Sequence, residues 1–150
     1  MYNTEFVGLE NLPTNIKTAQ YAFMHTGPNA DLEGISQYNP YCSTLDLRSF
    51  KLDNLENLFG MFKESNYSDI LFSGTFGINA KNIGMLFYNS SLLTNVDLSG
   101  INTDKLDTET YDIKCYQYAV AGLEKINSFK VGINWHMPMT DVGFEKGANA

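Results

Sequence analysis

A spacing constrains this chain more than any single residue. Leu45 and Leu47 recur as Ile70 and Phe72, and again as Val96 and Leu98; Leu58, Met61 and Phe62 recur 25 positions on as Ile83, Leu86 and Phe87. Apolar residues two apart line one face of a short strand, and apolar residues three and four apart line one face of a helix. A period near 25 holding one of each marks a repeat architecture, because one strand and one helical turn cannot bury their apolar flanks alone. The expected class is therefore an α/β repeat: a narrow parallel sheet on one face, short helices on the other.

The units can be followed along the chain. Val7 and Leu9 alternate as a first strand, Pro13 ends it, and Ile16 to Phe23 follow at helical spacing before Gly27-Pro28. The step from Phe23 to Phe62 is 39 rather than 25, so residues 26–41 read as an insertion with a short strand around Leu32–Ile35, and hence a contact loop. Next come a strand at Leu45–Leu47, a helix over Leu55–Phe62 capped by Asp53 or Asn54, a strand at Ile70–Phe72 and a helix over Ile83–Phe87. Val96 and Leu98 open the next unit, and Phe129, Val131 and Ile133 alternate in the last. One domain over residues 1–137 is expected, closed by Trp135, Met137 and Met139, with 138–150 as a tail.

Composition narrows the function classes. The chain has 150 residues, 43% of them hydrophobic, enough for one packed core. A formal charge of −7 with ten basic residues, and no dense run of them, argues against nucleic-acid binding, which needs clustered Lys and Arg. No basic start followed by an apolar run suggests a secretory signal, and no stretch has the apolar length of a membrane span. The expected location is a virion or assembled particle if the source is viral. Otherwise it is the cytoplasm, or the cell surface within a larger complex.

Candidate chemistry is sparse. Cys42 and Cys115, the two cysteines, read as small core residues, with a bridge between them left open. His25 and His136 fall at opposite ends of the repeat and cannot share a site. His136-Met137-Pro138-Met139 contains soft ligands, but Met at a closing edge reads as packing. The carboxylates between Asp97 and Asp112, including Asp104, Asp107 and Glu109, lack the spacing of a calcium loop and read as a solvated face. No catalytic residue, metal or cofactor is assigned.

Several stretches resemble a known family. C-S-T-L-D-L-R-S-F at 42–50, followed by L-x-x-L-x-x-M-F at 55–62, resembles the repeat of BspA-like leucine-rich-repeat surface proteins, as does S-S-L-L-T-N-V-D-L-S at 90–99. L-P-T-N-I-K-T-A-Q-Y-A-F at 12–23 is similar to the related Treponema-type repeat. The pattern departs at 26–41 and at Glu109 and Asp112, which stand at expected apolar positions. The resemblance implies a short solenoid, and adhesion or protein docking rather than a reaction.

The residues expected to carry such a role point outward from the strands: Asp46, Arg48, Leu71, Ser73, Asp97, Ser99 and Asn127. Loop aromatics join them, Tyr38 and Tyr41 first, then Tyr67 and Tyr88. The expected function is a non-enzymatic interaction or structural module of a larger assembly, such as a phage virion or surface appendage. Its expected partners are other copies or other subunits. The alternative is an adhesive module recognising a host-surface protein or glycan.

Overall fold

A computed structural model describes residues 15–27 and 44–144. The expected strand at Val7 and Leu9, nearly all of the insertion with Tyr38 and Tyr41, Cys42, and residues 145–150 lie outside these. Four short strands, β1 (Thr44–Asp46), β2 (Asp69–Leu71), β3 (Asn95–Leu98) and β4 (Ser128–Val131), form one sheet in chain order. Every pairing is parallel, with Leu45 beside Ile70 and Val96 beside Phe129. The fold is thus of α/β class, with a small four-stranded parallel sheet and few short helices. The alternation Leu45/Leu47 and Val96/Leu98 does what its period requires, burying these side chains on one face of the sheet.

The expected helices over Leu55–Phe62 and Ile83–Phe87 are not helices. Each is a chain of tight turns, and equivalent turns lie side by side at 18–25, 57–64, 82–89 and 115–122. Amides alternate in use. Met61 N–H closes a turn on the Leu58 carbonyl, Phe62 N–H reaches the Leu86 carbonyl of the next segment, Lys63 N–H closes on Gly60, and Glu64 N–H reaches Tyr88. The same alternation joins 18–25 to 57–64, and 82–89 to 115–122, always with the earlier segment donating. Backbone donors that a helix would satisfy internally are satisfied by the neighbouring unit instead.

This path needs a left-handed residue every fourth position. Tyr21, Gly60, Met85 and Tyr118 occupy one such row at φ 53–60°, and His25, Glu64, Asn89 and Gly122 occupy the next at φ 55–76°. An Asn side chain starts two of the segments: Asn57 Oδ1 accepts from Phe59 N–H and Asn82 Oδ1 from Gly84 N–H, both at 3.0 Å. Such local bonds favour turns over helix. The turns still bury residues at helix-like spacing, so Leu58, Met61, Phe62, Ile83, Leu86 and Phe87 all reach the core.

Between β3 and the fourth turn segment the chain makes an excursion holding α1 (Thr108–Tyr111) and a 3-10 turn at Asp112–Cys115, most of it exposed. Asp107 caps α1 by accepting from Thr110 N–H. Glu109 and Asp112 lie on this exposed excursion, away from the apolar positions that the repeat would have given them. Past β4, part of the expected tail packs inward: Val142 is fully buried and its carbonyl accepts from Val120 N–H. Among the described residues no helix is long and apolar enough to cross a membrane.

Candidate interaction face

Because inward residues alternate with outward ones, the sheet's outer face is set by the residues between the buried leucines. Asp46 of β1 stands beside Leu71 of β2, and Asp97 of β3 beside Lys130 of β4. Arg48, Ser73 and Ser99 follow two positions on from Asp46, Leu71 and Asp97. Asp69 and Asn95 pair in register at the other end, where Asn95 Nδ2 donates to Asp69 Oδ1 at 2.7 Å. Asp46, Leu71 and Asp97 therefore sit on neighbouring strands of one face, and Arg48, Ser73 and Ser99 just beyond the ends of those strands.

The two D-L-x turns on this face are built alike. Arg48 N–H and Ser99 N–H donate to the Oδ1 atoms of Asp46 and Asp97, at 3.0 and 2.9 Å. The Arg48 side chain then closes on Asp46 from two nitrogens, at 3.0 and 2.7 Å. The guanidinium bonds, and next the Arg48 amide, hold the Asp46 carboxyl down to about 2. At Asp97 partial burial pushes upward, but the Ser99 hydroxyl and amide and the Lys130 ammonium, 3.3 Å away, together hold it low. Both carboxylates are thus ionised acceptors kept in fixed orientations by neighbours.

Asn127 is exposed just before β4, its amide donating to the Thr94 carbonyl, and Lys130 is the β4 residue beside Asp97. One expectation is corrected. Tyr67 is buried at 4% exposure among the core residues flanking β2, because its ring fills space there instead of reaching solvent. Tyr88 is half-buried, with the Lys63 ammonium 5.7 Å from its ring centre and Tyr118 edge-on to it. Lys130, Asp69 and Asn95 were not singled out from sequence.

The remaining polar residues join one unit to the next. His25 lies 2.9 Å from Glu64, and His136 Nδ1 lies 3.0 Å from both Asp104 oxygens. Glu56 sits between Lys17, at 2.6 Å, and Lys81, at 2.7 Å. An open hollow beside it is lined by Asn15, Lys17, Asn54, Glu56 and Asn79, so its carboxylate already has two cations. Cys115 is a buried free thiol, pushed upward by desolvation. Among the described residues no three His, Cys, Asp or Glu side chains could together hold a metal ion. Compared with known proteins, the chain matches no family model, no curated protein and no solved structure.

Proposed function

We propose that this chain is a non-enzymatic interaction or structural module, one component of a larger assembly such as a phage virion or surface appendage. In this reading the repeating units form a short leucine-rich-repeat-like solenoid, similar to the BspA-like repeats. The observation that carries it is the sheet face, where Asp46–Arg48 and Asp97–Ser99–Lys130 present fixed charges on either side of β2. Oriented charges on a flat, exposed surface select a partner by electrostatic complementarity. The use of both histidines and of Glu56 as links between units agrees with a structural role for those side chains.

The test has two arms. Light scattering of the purified chain should give a mass above the monomer, or the chain should be recovered bound within its native particle; a strict monomer with no partner there rejects the reading. A triple variant, Asp46→Asn, Arg48→Gln and Asp97→Asn, should lose that association while its thermal melt stays unchanged. Retained association excludes this face. Loss of host-cell attachment with assembly intact would identify the adhesive role instead.

A further inference from the structure

β4 ends the sheet: β3 pairs one of its sides, and among the described residues no strand pairs the other. In a parallel pair, alternate residues turn their amides and carbonyls toward the neighbour. Ser128 N–H donates to the Thr94 carbonyl of the β3 side. The backbone groups of Phe129 and Val131 therefore point away from the sheet. Side chains along this edge are open past Phe129, which packs against Phe144: the Lys130 side chain is 66% exposed, Val131 is 37% exposed and Ile133, just beyond, 91%. A bare edge of this kind is a template for another strand.

The strand that fits is written in β3. Val96, Asp97 and Leu98 lie in register with Phe129, Lys130 and Val131. A strand added on the outer side of β4 would lie at the same lateral spacing, and meet the same lysine and the same apolar pair from the opposite direction. Lysine offers three donors, and Asp97 engages the Lys130 ammonium from one side only. Lys130 is also the sole charged residue of β4.

We propose that the outer edge of β4 receives an extended segment of a partner protein with the pattern apolar–acidic–apolar. Its acid sits beside Lys130, and its apolar side chains sit beside Phe129 and Val131. This rests on the docking function proposed above but uses the edge of the sheet rather than its face, so each can fail without the other.

The probe is a synthetic peptide with the sequence of residues 94–99, and a second in which its Asp is Lys. Titrated into the isotope-labelled full chain, the acidic peptide should shift the amides of Phe129, Lys130 and Val131 saturably. It should bind about fivefold more tightly than the basic one, as an exposed charge pair allows. Lys130→Glu should reverse the preference; Lys130→Gln, which adds no repulsion toward Asp97, should erase it. Shifts elsewhere, no shifts with either peptide, or an unchanged preference in a folded Lys130 variant would overturn the proposal. The Asp46 and Arg48 substitutions should leave peptide binding intact.

Discussion

Phe62 stacks on Phe87 with ring centres 5.4 Å apart and planes 10° from parallel, while Phe23 lies against Phe62 at 5.4 Å and 12°. Three successive units thus each contribute one ring to a single column. Phe72 and Phe76 tilt against its middle member, so Phe62 touches both the sheet side and the turn side of the core.

Truncating that ring should be the costliest single deletion in the core. Phe62 is fully buried, and neighbours from three units cannot all move into the space it leaves. Phe62→Ala should lower stability by about 3–5 kcal/mol in urea unfolding, and Phe62→Leu by much less. Equal losses for the two would show that the column is not packed as described.

Gly84 is held by proximity rather than by its own conformation. A methyl group there would run into the Lys114 carbonyl and lie 2.9 Å from the Phe59 ring, whereas one at Gly74 would meet nothing within 4 Å. Gly84→Ala should cost about 1–3 kcal/mol by forcing neighbouring segments apart. Gly74→Ala should stay within about 0.5 kcal/mol, and thermal melts of the pair decide the matter.

Asn82 starts a turn segment from inside the protein. It is 4% exposed, and its Oδ1 accepts from Gly84 N–H. Asn82→Ala would strand that buried donor and should cost about 1–3 kcal/mol. The same change at half-buried Asn57, where water can reach the Phe59 amide, should cost less. Hydrogen exchange at Gly84 and Phe59 gives an independent reading.

Glu56 predicts an acid-sensitive link. Hydrogen bonds from Lys17, then Lys81, lower its carboxyl from 4.5 to about 2. A carboxylate depressed on folding stabilises the folded state above its unfolded value, and that stabilisation is lost as pH falls toward the folded value. The urea midpoints of the native chain and of Glu56→Gln should differ by a constant amount above about pH 5 and converge between pH 4.5 and about 2. Added salt should narrow the gap at neutral pH.

Much of the sheet was legible in the sequence. Leu45, Ile70 and Val96 announced their strands because period-two alternation has one simple structural solution, and repetition put these strands side by side. The turn segments were misread for a physical reason. Tight turns bury Leu58, Met61 and Phe62 at the same three-and-four spacing as a helix, and the pattern alone cannot separate the two. Glycine would have marked the left-handed positions, but Tyr21, Glu64, Met85, Asn89 and Tyr118 fill most of them. Asn57 and Asn82, separated by the same interval as the buried phenylalanines, were a signal that went unused. On the candidate face, Asp46, Arg48, Asp97 and Ser99 followed from alternation. Lys130 did not, since its place depends on a register that the long connection from β3 to β4 obscures.

Past the first residue of each turn segment, the amides that cross to a neighbouring segment donate forward, whereas Asn57 and Asn82 donate back to the Lys17 and Glu56 carbonyls, so the column has a head and a tail that differ in hydrogen-bonding character. Two copies related by a half-turn would set like against like there. Self-association through these ends would have to be heterologous, and unless such contacts close into a ring they propagate as a filament.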